Sequence, residues 1–218
     1  KLMTQNHPRG GSLPKPENFD QINLDRSQQI YKERFANAAD FTFLFVGAVN
    51  EATLKPLLEK YIGSLPAQAK KENFKDLGIR PPYRMVDTVF TKGTEPQSQV
   101  NIVFTTPAVF NPAEQYALVS LGELLSIKLV EKLREEKGGV YGVGAYGSMA
   151  KLPYPNASFT ISFPCAPENV DSLTRAALDE LKKIMEQGVQ AEDLEKVREQ
   201  QIRRLEVDLK QNNFWMNS

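Results

Sequence analysis

Residues 157–163 alternate strictly, with Ala157, Phe159, Ile161 and Phe163 on one side and Ser158, Thr160 and Ser162 on the other. Successive side chains of a strand point to opposite faces, so this stretch specifies a sheet with one apolar and one polar side. The apolar side has to be covered, and the flanking sequence supplies the cover. Asn111 is an N-cap candidate and Pro112 suits a first helical position. The helix they open runs to about residue 136. Leu118, Leu121, Leu124, Leu125, Leu129 and Leu133 make it apolar on several sides, so it should be largely buried. Residues 168–187 form an amphipathic helix through Val170, Leu173, Ala177, Leu181 and Ile184, stopped by Gly188. A further helix is expected over residues 191–210.

The rest of the chain extends this pattern. Residues 1–23 read as loop, rich in turn formers from Asn6 to Gly11 and breakers at Pro14 and Pro16. A helix is expected from about residue 24 to 35. Residues 41–47 are an almost unbroken apolar run and read as a central strand buried on both faces. Asn50 caps a helix over residues 51–62, with Leu54, Leu57, Leu58 and Tyr61 as its stripe. Residues 85–91 and 99–105 read as two strands of a hairpin around Lys92 to Pro96, and residues 140–149 as another strand. The order β-α-β-β-α-β-β-α-α predicts an α+β fold: a largely antiparallel mixed sheet with helices packed on one face. Phe214, Trp215 and Met216 cluster near the end. Either the natural chain continues or docks on a neighbour there, or Trp215 packs back on its own domain.

Lys+Arg and Asp+Glu are balanced at 27 each, which argues against a nucleic-acid partner. No apolar run reaches the ~20 residues a membrane-spanning helix needs. The single cysteine, Cys165, ends an apolar run and reads as a small buried residue, since only His7 is available as an imidazole partner for a catalytic thiol. His7 is the sole histidine, so the paired-histidine zinc motifs are ruled out within this chain, and a Ser-His-Asp triad would have to rest on this one residue in a Pro/Gly-rich segment. No phosphate-binding loop of the G-x-x-x-x-G-K-[ST] type occurs. Glu131, Glu135 and Glu136 read as a solvated helix face.

One segment stands apart. Leu133-Arg134-Glu135-Glu136-Lys137-Gly138-Gly139-Val140-Tyr141 joins the long helix to a strand studded with glycine, five of them between 138 and 147. Glycine weakens a strand and marks close approach of another backbone. Arg134 and Tyr141 are candidate site residues, with Gly139, Gly142 and Gly144 as candidates for contact with a ligand backbone. The competing architectural reading has Arg134 complementing the helix C-terminus and pairing with Glu131, and Tyr141 as an ordinary strand aromatic.

This segment resembles the R-E-x-x-G-x-x-Y type signature in the C-terminal domains of pitrilysin/insulinase-type zinc metallopeptidases. Phe43-Leu44-Phe45-Val46-Gly47 followed by a helix and Gly63-Ser64-Leu65-Pro66 resembles the same family, where a strand ending in V-G precedes a helix closing on a G-x-L-P turn. The resemblance covers about residues 24–216. The tail 213–217 and residues 31–49 are most similar to bacterial PqqL-type members. It implies a non-zinc half-domain that closes over a zinc-binding half, with a peptide substrate enclosed between them. It implies that Arg134 and Tyr141 act on the substrate and transition state, and that zinc is a cofactor of the parent enzyme held by another domain. On that basis residues 1–40 are expected to be the end of a preceding domain and hinge, and residues 41–218 a C-terminal domain shortened at its end. A periplasmic or cell-envelope location is expected, with cytoplasm as the alternative. The other readings are a non-catalytic scaffold subunit of the same fold and a peptide-binding module using a sheet edge. The donor shortage makes a direct forecast: elemental analysis of the tag-free chain should find no stoichiometric zinc, and one tightly held zinc per chain would overturn it.

Overall fold

The computed structural model describes residues 1–11, 13–68, 73–136, 140 and 142–217. They divide into two compact units, Lys1–Lys75 with Arg204–Ser218, and Asp76–Arg203. In chain order the main elements are α1 (Leu24–Phe35), α2 (Glu51–Tyr61), β1 (Ser98–Pro107), α3 (Pro112–Leu129), β2 (Gly144–Ala150), β3 (Asn156–Cys165), α4 (Val170–Gln187), α5 (Ala191–Asp208) and α6 (Asn212–Asn217). The helices together with an antiparallel sheet make the α+β class that the alternating pattern predicted.

The unit Asp76–Arg203 is built on a three-stranded sheet of order β1-β3-β2, antiparallel throughout. Ile161 at its centre pairs with Ile102 on one side and Ala145 on the other. Phe159, Ile161, Phe163 and Cys165 are buried on one face of β3. Leu125, Leu129 and Leu133 meet them from above, and Leu173 and Ala177 of α4 complete the cluster. Burying each large side chain contributes about 1.5–3 kcal/mol, so this cluster supplies most of the unit's apolar stabilisation. On the opposite face Ser158, Thr160 and Ser162 are half-buried, in contrast to the buried apolar side.

The helix boundaries follow local chemistry. Asn111 accepts a hydrogen bond from the Ala113 N–H at 2.9 Å, and Pro112 occupies the first turn of α3. Gly188 ends α4 at φ 74°, a backbone setting that disfavours a side chain. After Leu129 the helix does not stop. Val130–Glu136 continues as a π-helical turn, so the expected single helix to about residue 136 is α-helical and then wider.

The contact that positions the sheet is the approach of α3 to β2. A Cβ at Gly122 would lie 2.8 Å from the Ala145 carbonyl oxygen, and one at Gly147 would lie 2.5 Å from the Leu118 carbonyl oxygen. At that range α3 also caps the strand's edge. The Ala145 N–H donates to Ser126 Oγ at 2.8 Å, and the Met149 N–H donates to the Gln115 side-chain oxygen. Backbone groups that a neighbouring strand would otherwise satisfy are met by helix side chains, which blunts β2 as an edge.

α5 is joined to α3 by polar contacts. Lys128 Nζ lies 2.7 Å from the buried Asp193 carboxylate. Gln201 accepts from the Tyr116 hydroxyl at 2.6 Å and donates to Glu123 at 2.6 Å. The hydrogen bond to Asp193 holds the Lys128 ammonium above the ordinary lysine value, against the opposing effect of burial. A raised cationic pKa gives stability that is complete below the ordinary lysine pKa and fades only as pH climbs through the raised value, so this seam persists across neutral pH.

In the other unit, α1 spans Leu24–Phe35 as expected, and its Asn23 side chain accepts from the Arg26 N–H. The Asn50 cap of α2 is also present. The strand expected over residues 41–47 is not. The segment runs extended but pairs with no strand, and Phe43 and Phe45 are 43% and 47% exposed. Its aromatic rings continue a stack instead, from Tyr31 to Phe35, Phe41 and Phe43, with centroids 5.0, 5.6 and 6.2 Å apart. Residues 85–91, in the sheet-bearing unit, likewise lie outside the sheet, with Met85, Val89 and Phe90 exposed. Apolar patterning specifies which side of an extended segment seeks cover, but a strand exists only where another backbone completes its hydrogen bonds. At the chain end Trp215 donates its ring N–H to the Leu209 carbonyl at 3.0 Å while its ring stays half-exposed.

The Gly122 contact reverses an ordinary expectation. Helix propensity alone favours Gly122→Ala by about 1 kcal/mol. Forcing a methyl against the Ala145 carbonyl costs about 1–3 kcal/mol. The variant should therefore be less stable, which urea denaturation of the chain will measure directly.

Candidate functional site

The glycine-rich segment begins where α3 gives way to the π turn. Leu133 within that turn is fully buried, and Val140 beyond it is 8% exposed; both belong to the core cluster. The segment is thus pinned at each end by an apolar anchor. Arg134 directly follows the first anchor and is exposed. Single π-type turns inside helices recur at functional sites because the wider turn re-aims a side chain. Tyr141 and Gly139, which follow in the sequence, lie outside the described residues.

Glu131 is taken by Lys128 Nζ at 3.2 Å, the same ammonium that contacts Asp193. The two remaining glycines differ. A side chain at Gly142 would meet nothing within 4 Å. A Cβ at Gly144 would fall 2.3 Å from the Tyr146 hydroxyl oxygen, so Tyr146 lies back over that position. Sequence reading missed Tyr146 and the edge-capping pair Ser126 and Gln115. The G-A-Y spacing, which sets a bare position two residues before an aromatic on one strand face, is the signal that marks Tyr146. Nothing local marks Ser126 or Gln115, because their role depends on how near the helix comes to β2.

The donor set does not fit a zinc centre. Among the described residues no three His, Cys, Asp or Glu side chains converge. His7 Nδ1 accepts a hydrogen bond from the Arg9 N–H within its own loop. Cys165 closes β3 inside the core, and burial followed by the nearby Glu168 charge pushes its thiol pKa up, opposite to the shift of a reactive cysteine. A groove lined by Lys132, Arg175, Asp179, Glu180 and Lys183 carries charges of both signs. Among the described residues no helix is long and apolar enough to cross a membrane.

Residues 21–201 match the family described as the Peptidase M16 inactive domain. The chain belongs to this family. Among curated proteins it is 27% identical over 171 residues to the probable zinc protease PqqL of Haemophilus influenzae, covering 78% of this chain and 18% of that protein. It is 23% identical over 203 residues to the zinc protease PQQL-like protein of Arabidopsis thaliana, covering 87% and 21%. The chain therefore spans about a fifth of the length of these relatives. The crystal structure of the periplasmic protease PqqL from Escherichia coli superimposes with a TM-score of 0.73 at 23% identity, over 94% of this chain and 23% of that one. A peptidase M16 inactive domain from Pseudomonas fluorescens gives 0.61 at 16% identity, over 93% and 48%. At these identities the solved structures establish the shared fold. The expected pitrilysin-type half-domain, with helices on one side of a small antiparallel sheet, is the fold that M16 neighbours share.

The core position of Cys165 sets its reactivity. A thiol reagent should label it in the native chain at least ~100-fold more slowly than in the urea-unfolded chain, because attack has to wait for local opening. Equal labelling rates in the two states would show that β3 does not bury it.

Proposed function

We propose that this chain is the non-zinc half of a zinc metalloendopeptidase, which closes over a catalytic half and positions the peptide to be cut. The observation that carries the reading is its membership of the M16 inactive-domain family together with retention of Arg134 and Tyr141 seven residues apart, each directly following a buried anchor, Leu133 and Val140. Zinc, in this reading, is held by another part of the parent protein, in keeping with the absence of a converging donor cluster among the described residues. The relatives are named as zinc proteases, which supports the assignment.

The chemistry left to this half is electrostatic. The Arg134 guanidinium offers a planar pair of N–H donors suited to holding a substrate carbonyl in place. The Tyr141 phenol can donate a hydrogen bond to the oxygen on which negative charge develops as the peptide carbonyl is attacked. Gly139, before Tyr141, and Gly142, after it, carry no side chain to obstruct a substrate backbone, while Gly144 gives room to the Tyr146 ring. The partners are a peptide and the zinc-binding half, on the same chain or another. A periplasmic or cell-envelope location follows the Escherichia coli relative, whose crystal structure is described as that of a periplasmic protease.

A donor directed at a developing charge acts mainly in the transition state. In the full parent enzyme Tyr141→Phe should therefore lower kcat by about 100- to 1000-fold, or ~3 kcal/mol, with a far smaller change in KM. Arg134→Lys should also be damaging, because an ammonium cannot reproduce a planar two-point contact. Steady-state kinetics on a peptide, with thermal melting as the folding control, tests both. Wild-type kcat in a well-folded Tyr141→Phe enzyme would make the segment architecture and favour a scaffold role.

A further inference from the structure

The open face of the sheet carries no charged residue, in a chain that is 25% charged. Asn101, Ser162 and Gly144 share one rung across the three strands, and Val103, Thr160 and Tyr146 share the next. Several of the polar groups pair along the surface. Gln99 donates to Ser162 Oγ at 2.9 Å, Ser162 Oγ donates to Asn101 at 2.9 Å, and the Ser148 and Ser158 hydroxyls are 2.9 Å apart. These bonds hold the side chains low. Tyr146, 67% exposed, lies back over Gly144, which has no side chain to lift it. The outcome is a broad uncharged surface of hydroxyls and amides around one accessible aromatic ring.

We propose that this face, centred on Tyr146, docks an uncharged extended stretch of the peptide substrate, with an apolar or proline side chain against the Tyr146 ring. The proposal rests on the reading above and adds a specificity-determining contact to it. The chemistry of the face favours a peptide. Without Lys or Arg it has no attraction for a polyanion. Its hydroxyls and amides can both donate to and accept from a peptide backbone, and an aromatic ring offers rigid contact area at little entropic cost. Position agrees as well: β2 continues directly from the Arg134–Tyr141 segment. Tyr146 lies five positions after Tyr141, so covalent geometry puts them at most about 18 Å apart, within the reach of about five extended substrate residues. Charged substrate side chains at that distance from the cleaved bond would lose solvation with no partner on the face, and are disfavoured.

The test uses the full-length parent enzyme and a series of uncharged peptides that vary only about five residues from the cleavage point. Tyr146→Ala should raise KM about 10-fold, with kcat changing much less. Tyr146→Phe, which keeps the ring, should recover most of that affinity. Gly144→Val keeps the tyrosine but takes its seat, and should raise KM as Tyr146→Ala does, an effect that simple loss of the ring's bulk does not explain. Lys or Glu at the varied substrate position should cost the wild-type enzyme more than the Tyr146→Ala enzyme. Because a variant can fail to fold, a benzophenone-bearing peptide is also crosslinked to the wild-type enzyme and mapped by mass spectrometry. Adducts on Tyr146 or its neighbours on the open face support the proposal. Adducts confined to other surfaces, crosslinks showing a second copy of the chain seated on the face, or an unchanged KM in a folded Tyr146→Ala enzyme overturn it. If the wild-type enzyme cleaves none of the peptides, the protease reading fails, and the crosslink map still decides the docking face separately.

Discussion

The sheet-bearing unit depends on how near α3 comes to β2. Gly122 and Gly147 leave room for helix and strand backbones to approach without side chains between them. Ser126 and Gln115 then reach the strand's own N–H groups. One contact does two jobs. It fixes which face of the sheet is buried under leucine, and it removes β2 as an edge for another strand to join. The opposite face is left open, and the polar side of the alternation in β3 is presented there.

The same contact sets where the chain leaves α3. Because α3 is held against the sheet by Leu125, Leu129 and Leu133, its continuation as a π turn carries Arg134 out of the core at a fixed point. Val140 returns the chain to the core before β2 begins. The polar seam from α3 to α5, with Asp193 buried beside Lys128, supports the outer side of the same helix.

Much of this was legible in the residues. The period-2 pattern of residues 157–163, the leucines of α3 and the Asn caps at positions 23, 50 and 111 report on local geometry, and local geometry is what spacing encodes. Arg134 and Tyr141 could be singled out because glycines between them interrupt an otherwise regular pattern. The reading failed at Phe43, Phe45 and residues 85–91. Their composition is that of strands, but composition says only that such a segment gains by being covered, not which backbone will cover it. Tyr146 was visible as a residue and not as a site, because its exposure depends on Gly144 being bare and on its rung in the sheet.

The sequence by itself determined the class of fold, most helix boundaries, the two-faced character of the sheet and the family. These follow from side-chain chemistry and short-range periodicity, which act within a few residues. Only the tertiary structure decided which strands pair, that β2 is sealed by a helix, that Glu131 meets Lys128, and that an uncharged face around Tyr146 stays open. Those outcomes rest on contacts between residues far apart in the chain. The free energy of such a contact depends on distances of a few tenths of an ångström, and no local pattern encodes them.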